Sequence, residues 1–506
     1  MDRVALLFLI AGLTVSLACG RPDAHVGSGQ GLLVIAIDGL RADHLGAYGH
    51  ERETAPTLAA LARDGLLFEE AFSSSPRRLP AHAALLTGCD PLPVQRLLPE
   101  GVEHALVEDL AWSWSLPEPY PSLAVELLAN GWETAAFVDH ENLAPTRGFR
   151  RGFAHWTSTE GQDVDGRPPA TLEDAGLAAL ADPLGRWLRG LPRSSDWFAY
   201  MQLDDLERAW QLPSPTWERY FRAKAIDADV PPVGNTDEVF YAIPRSRWRG
   251  QSLSIAEHRA FYDGHVRRLD GELKRLLDGL ELTGRNERTT IVVIGSYGVQ
   301  FGEAGRILAS GCYSMADLHV PWIIRPSAKL RERLLPAGTR IDGLASGIDL
   351  APTLLGLADV PIPFAMHGVS QVPVLNGREK SVRSECFASL GLLGGWASIG
   401  PRLVVETLEL DHGADAALVR SWGGSLQPGE PAVRAYDRTV ERFPEPGYVH
   451  ALPPGPEVQR LAAAAEAWYG RLNDVREVLR RSWFDRQVAD RELRALEDEG
   501  WIQRAP

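Results

Sequence analysis

The chain has 506 residues, 45% apolar and 24% charged, and a formal net charge of −15. That length suits one large domain with a smaller companion, and the apolar share is that of an ordinary globular protein. The acidity excludes a nucleic-acid-binding surface, which needs a basic face.

Met1-Asp2-Arg3 precedes an apolar run from Val4 to Leu17, too short to span a bilayer and of the length of a signal-peptide core. Ser16-Leu17-Ala18-Cys19-Gly20 follows, and small residues before Cys19 resemble a bacterial lipobox. Residues 1–19 are therefore expected to be a signal peptide, with Cys19 lipidated and the mature protein held at a membrane of the cell envelope. Ser-x-Ala also fits ordinary secretion with cleavage after Ala18, which would leave a periplasmic protein. Residues 20–31 read as a flexible tether containing Gly and Ser.

Leu32–Ile37 is an apolar, β-branched run suited to a strand buried on both faces, and Asp38-Gly39 stands at its C-terminal end, where open α/β sheets place ligands. A helix is expected from Thr54-Ala-Pro56 to Asp64, stopped by Gly65, and another from Ser122 to Asn130, stopped by Gly131. Thr134–Val138, Trp197–Leu203, Thr290–Ile294 and Val320–Arg325 read as further strands. An amphipathic helix is expected over Ile255–Leu280, and Ile348-Asp349 starts another. Strands alternating with helices predict a mostly parallel α/β sheet over residues 32–380, covered by helices on both faces.

Residues 207–250, rich in Trp, Pro and Arg and without a period, read as a long excursion across the mouth of the sheet. Trp210, Trp217 and Trp248 there are expected to pin the excursion down, with stacking on sugar rings as the alternative. Residues 381–506 read as a smaller C-terminal α+β subdomain, with a strand at Pro401–Thr407 and helices over Val458–Leu472 and Ala489–Asp498. Cys89, Cys312 and Cys386 are too scattered for a disulfide framework or a zinc site and read as buried apolar residues.

The segment Phe68 to Gly88, with Arg78-Leu-Pro80-Ala-His82 and Leu85-Leu-Thr87-Gly88, resembles the active-site stretch of the sulfatase family of the alkaline phosphatase superfamily. That family writes C-x-P-x-R or S-x-P-x-R followed by L-x-T-G, and a relative writes T-x-P-S-H. Val34 to Gly49, Arg151-Gly-Phe153, Phe261-Tyr-Asp263, Val320-Pro321 to Pro326, Ile348 to Thr353 and Leu493 to Ile502 resemble further family segments in the same order. The resemblance implies an alkaline-phosphatase-like fold and, for an intact member, sulfuric ester hydrolysis at a divalent cation: calcium or magnesium, zinc in relatives.

The same alignment places Arg78 where the nucleophile belongs, and a protonated guanidinium cannot attack an ester. Asp38 would be the remaining metal ligand. The expected S-D-H-G-E becomes Gly295-Ser296-Tyr297-Gly298-Val299, with Ser296 for Asp and Tyr297 for His. G-E-H-G becomes Gly302-Glu303-Ala304-Gly305, the expected lysine falls near Ala309, and a D-P-H-like stretch reads Asp205-Leu206-Glu207. One acidic ligand is too few to hold calcium or magnesium tightly, so no cofactor is expected. Without a cation Asp38 is costly to bury, and Arg78 is expected to neutralise it, in bidentate form at best.

Ser74-Ser-Pro-Arg77-Arg78 also matches S-x-P-x-R, which would make Ser74 the nucleophile at the cost of a four-residue slip against Thr87-Gly88. For His82, Tyr297 and the pair Asp204-Asp205 the plain expectations are packing, cavity filling and a solvated strand end. The chemical alternatives are an oxyanion ligand, a phenolic acid and an acid pair. The reading that follows is a non-catalytic binding or regulatory module of the envelope. Its cleft, with Arg77, Arg78 and Arg306 nearby, would accept anionic, sulfated or phosphorylated groups; any protein partner stays unnamed. The alternative is an active sulfuric or phosphoric ester hydrolase with a rearranged site, using Ser74 and Asp38.

Overall fold

An unbroken apolar run can pack both of its faces at once, and Gly31–Asp38 (β1) does so, every residue being buried. The computed structural model describes residues 27–91, 116, 120–140, 143–159, 176–208, 255–301, 313–389, 395–408, 432–439 and 455–484. Around β1 the chain lays down β2 (Leu66–Phe72), β3 (Glu133–Val138), β4 (His155–Ser158), β5 (Trp197–Leu203), β6 (Thr289–Tyr297), β7 (Trp322–Arg325) and β8 (Thr339–Ser346). They form one eight-stranded sheet in the order β4-β3-β5-β1-β6-β7-β2-β8. β7 runs antiparallel to β6 and β2, and the other described pairs are parallel.

The two-residue period of β1 divides the core. Leu32, Val34 and Ala36 face α2 (Arg78–Thr87), α3 (Leu123–Ala129) and α6 (Leu350–Leu357). Leu33, Ile35 and Ile37 face α1 (Pro56–Arg63), α4 (Leu177–Gly190) and α5 (Ile255–Leu282). Leu177, Leu180, Leu184 and Leu188 form the buried stripe of α4 at helical spacing. Each such side chain contributes about 1.5–3 kcal/mol of transfer free energy. Helix starts are tied across the core: the Asp270 carboxylate accepts from Thr57 N and Leu58 N, each at 2.9 Å, at the start of α1. Asp205 Oδ2 accepts from Leu177 N at 2.9 Å at the start of α4.

The sequence reading passes over β2 and β8. Glu69 and Glu70 interrupt the apolar pattern of β2 because they serve as anchors there. Glu69 pairs with Arg340 of β8 and Glu70 with Arg438. A smaller sheet of β9 (Cys386–Ser389), β10 (Trp396–Ile399), β11 (Leu403–Leu408) and β12 (Ala432–Asp437) is antiparallel in the order β12-β11-β10-β9. One face packs Cys386, Ala397, Ile399 and Tyr436 against Phe72, Tyr313 and Leu344 of the main body. The other is covered by α7 (Pro456–Phe484) through Trp396, Trp468 and Leu461. α7 runs beyond the expected Leu472, and the expected Ala489–Asp498 helix and terminal segment Leu493–Ile502 lie outside the described residues. Cys89 and Cys386 are buried free thiols, and burial pushes both up to about 12. Cys312 lies outside the described residues. No helix among the described residues is long and apolar enough to cross a membrane.

The turn leaving β6 depends on Gly298, whose N–H donates to Asp317 O at 2.7 Å. A Cβ at this position would stand 1.9 Å from Ala316 O, a backbone atom that cannot rotate away. Gly298→Ala should therefore cost about 2 kcal/mol of unfolding free energy. Urea denaturation reads this directly, and an unchanged midpoint would mean that the turn shifts freely.

Candidate functional site

β1 ends on Asp38 in the middle of the sheet, and three elements deliver four side chains to its buried carboxylate. Arg78 and His82 stand four residues apart on α2 and so share a face. Arg78 Nε donates to Asp38 Oδ2 at 2.7 Å, and His82 Nε2 lies 2.7 Å from Oδ1. Gln202 Nε2, from β5, donates to Oδ2 at 2.8 Å. Ser296 Oγ, from β6, donates to Oδ1 in a short hydrogen bond. Ser296 reaches that position because the β1–β6 register slips between Ile37 and Asp38, pairing Asp38 with Tyr297. Such a bulge re-aims a side chain at a strand end.

A second layer holds these donors. Gln202 Oε1 accepts from Asp139 N at 2.9 Å and His140 N at 3.0 Å, which fixes the amide so that its NH2 faces Asp38. Tyr200 OH lies 2.6 Å from His82 Nδ1. Arg78 Nη2 bonds Asp204 Oδ1, so the guanidinium forks between two carboxylates instead of taking Asp38 with both nitrogens. The Arg78 side chain is 12% exposed and His82 and Asp38 are sealed.

The electrostatics follow from this packing. Burial alone would push the Asp38 carboxyl up, but attraction from His82 and Arg78, with hydrogen bonds from His82 and Ser296, holds it well below the usual range. An ionised carboxylate has only acceptors, so His82 Nε2 carries the hydrogen it shares with Asp38. Burial first, and the Asp38 charge second, hold the Tyr200 phenol well above its ordinary value. A carboxylate offers about four lone-pair directions, and Arg78, Gln202, His82 and Ser296 take them.

Other expected site residues lie elsewhere. Ser74 Oγ lies 3.1 Å from Ser346 Oγ and accepts from Ile348 N at 3.2 Å, so its bonds tie the β2–α2 connection to the end of β8. Tyr297 is buried. Asp204 and Asp205 are 3% and 2% exposed, which corrects the expectation of a solvated strand end. The reason is pairing: Asp204 meets Arg78, and Asp205 caps α4 while accepting from Arg268 Nη2 at 3.0 Å. Ala304, Ala309, Arg306, Cys19 and the tryptophans at 210, 217 and 248 lie outside the described residues. Tyr200 and Gln202 are additions to the sequence reading. Their signal is present, since Tyr200, Gln202 and Asp204 are polar at every second position of a strand that otherwise reads Trp-Phe-Ala-Met-Leu.

The model of the sulfatase family matches residues 30–360, most of the chain. The chain belongs to the sulfatase family. It is 27% identical to human (Homo sapiens) arylsulfatase A over 418 residues, covering 76% of this chain and 73% of that one. Among solved structures, the phosphonate monoester hydrolase of Agrobacterium radiobacter superposes with a TM-score of 0.61 at 18% identity, covering 88% of this chain and 95% of that one. A protein solved with its substrate D-glucosamine-2-N,6-O-disulfate gives 0.61 at 15% identity, covering 88% of this chain and 98% of that one. The mostly parallel sheet with helices on both faces and the separate antiparallel sheet are the alkaline-phosphatase-like architecture.

Removing Arg78 would leave Asp38 and Asp204 without their shared cation. Arg78→Ala should lower the unfolding free energy by about 3 kcal/mol. Arg78→Lys should recover only part of this, because an ammonium lacks the planar fork. Urea denaturation measures both, and a loss under about 0.5 kcal/mol for the alanine variant would sink the pairing as an energetic feature. Because the folded state holds Asp38 below its unfolded value, that contribution is complete at neutral pH and falls as pH drops below about 4. Asp38→Asn should flatten this acid limb, and Asp43, Asp263, Asp359 and Asp437, also held low, contribute to the slope that remains. Chemical denaturation repeated from pH 7 to pH 3 tests this, and equal slopes for wild type and variant would contradict it.

Proposed function

We propose that this sulfatase-family chain is a non-catalytic member that accepts anionic, sulfate-type groups in the family's cleft without cleaving them. The observation that carries this reading is Arg78, forked between Asp38 and Asp204 at the end of β1 and the start of α2. A divalent cation does not fit this donor set. The Asp38 lone pairs are already taken, Ser296 donates to Asp38 where a second carboxylate would be needed, and Arg78 already brings positive charge there. Ser74, whose hydroxyl is engaged with Ser346 and Ile348, does not favour a rearranged nucleophile.

Two features support an anionic ligand. Arg77 stands at the N-cap of the ten-residue helix α2, where backbone N–H groups also favour negative charge, beside Arg78, whose own charge is committed to Asp38 and Asp204. Arylsulfatase A is named for sulfate esters, and another neighbour was solved with a disulfated glucosamine.

The deciding experiment measures metal content of the purified protein by mass spectrometry, beside turnover of sulfate and phosphate esters. The expected result is no equivalent of divalent cation that Asp38→Asn removes, and no turnover above that of Arg78→Ala. Binding of a sulfated monosaccharide, read by thermal shift, is expected to weaken in Arg77→Ala. A full equivalent of cation lost in Asp38→Asn, together with ester turnover, would make the chain an active hydrolase and overturn the proposal.

A further inference from the structure

A second buried aspartate, sharing no atoms with the Asp38 cluster, lies where the loop after β1 meets α5. Asp263 projects from α5, and two histidines of that loop converge on it. His44 Nδ1 lies 2.7 Å from Asp263 Oδ1 and His50 Nε2 lies 3.4 Å from Oδ2. Gly49, at φ 96°, turns the chain back so that the two rings face each other with centroids 5.1 Å apart. One ligand atom from each of the three residues can be chosen so that all lie within 4.8 Å of one another.

We propose that His44, His50 and Asp263 form a site for one zinc-class divalent cation, with Arg52 standing in as the cation when no metal is bound. Zinc takes nitrogen and oxygen ligands at about 2.0–2.1 Å in a tetrahedron, which separates neighbouring ligands by about 3.3 Å. His44 and His50 stand 2.7 and 3.4 Å from the two oxygens of Asp263, close to that spacing, and shifts of side chains on the scale of an ångström would gather the three ligand atoms, which lie within 4.8 Å of one another, around one ion. Two imidazoles and one carboxylate are ligands suited to zinc, whereas calcium and magnesium want oxygen.

The surroundings supply rigidity and access. Tyr262 packs edge-on against the His44 ring at 4.9 Å and donates to Gly39 O at 2.7 Å, and Thr54 Oγ1 donates to His44 O. Orientation of ligands by such outer partners is what metal sites require. His50 and Arg52 have side chains 19% and 25% exposed, so solvent reaches the cluster from that side. Arg52 Nη1 donates to Asp263 Oδ2 at 2.8 Å and thus uses the carboxylate oxygen next to His50. A bound dication would repel that guanidinium toward solvent, making arginine and metal competitors for one carboxylate.

This inference does not rest on the reading of the cleft, and the test keeps the two apart. Zinc chloride is titrated by calorimetry into the tag-free protein and into His50→Ala, Arg52→Ala and Asp38→Asn variants, each checked for folding by its thermal melt. The expected result is one equivalent bound by wild type, weakened at least about tenfold in His50→Ala, tightened in Arg52→Ala and unchanged in Asp38→Asn. Zinc should also raise the melting temperature of wild type but not of His50→Ala. No uptake by wild type, uptake equal in wild type and His50→Ala, weaker binding in Arg52→Ala, or loss of the zinc with Asp38 would each overturn the proposal. In those cases the cluster is a structural ion pair pinning the loop to α5.

Discussion

One guanidinium shared by two buried carboxylates sets the character of the cleft. Asp38 closes the central strand and Asp204 follows the adjacent one, so both lie at the carboxyl edge of the sheet. Open α/β sheets gather ligands at that edge because strand ends and helix starts meet there. Two acidic groups facing each other in a sealed space need positive charge, and Arg78 brings it on the first turn of α2. A cation at a helix N-terminus works against the helix dipole. The position therefore holds through the two carboxylates, and without them the arginine would be drawn toward solvent.

The rest of the cleft is arranged around that charge by three periodicities. Four-residue spacing on α2 aligns Arg78 with His82, and two-residue spacing along β5 aligns Tyr200 and Gln202, with Asp204 just past its end. The slip between β1 and β6 turns Ser296 onto Asp38. Each donor is itself held, Gln202 by two backbone N–H groups and His82 by Tyr200. A network in which every lone pair of the central carboxylate is occupied is rigid, and rigidity here keeps charge fixed.

What was legible in the sequence was local. β1 with Asp38 at its end shows as an apolar run and a break, and Arg78 stands out because the surrounding segment has a known pattern. Ser296 and Tyr297 were visible as departures from that pattern, but not the register slip that aims one of them at Asp38. Asp204 reads as a solvated strand end for a physical reason: an acid after a strand is solvated unless some distant residue pairs with it, and Arg78 is 126 positions away. Gln202 is hidden the same way, 164 positions from Asp38. β2 was missed because its two glutamates break the apolar pattern while bonding arginines far along the chain.

The protein uses one device repeatedly, a buried aspartate met by an arginine: Asp38 by Arg78, Asp263 by Arg52 and Asp349 by Arg383. The settings differ in how far the arginine can leave. Arg78 and Arg383 are each 12% exposed, whereas Arg52 is 25% exposed and reaches Asp263 from the solvent side. Arg78 is held by two carboxylates, and Arg383 meets one whose oxygens also accept from Ser346 N, Val369 N and Gln371 Nε2. Arg52 shares its carboxylate with two imidazoles, and an imidazole nitrogen can offer a lone pair to a metal where a guanidinium has none. An arginine locked among acceptors is held in place by all of them at once. One at the rim of a histidine-bearing carboxylate has a path to solvent, and that difference in partners distinguishes the Asp38 cluster at the end of β1 from the Asp263 cluster beside the loop that follows.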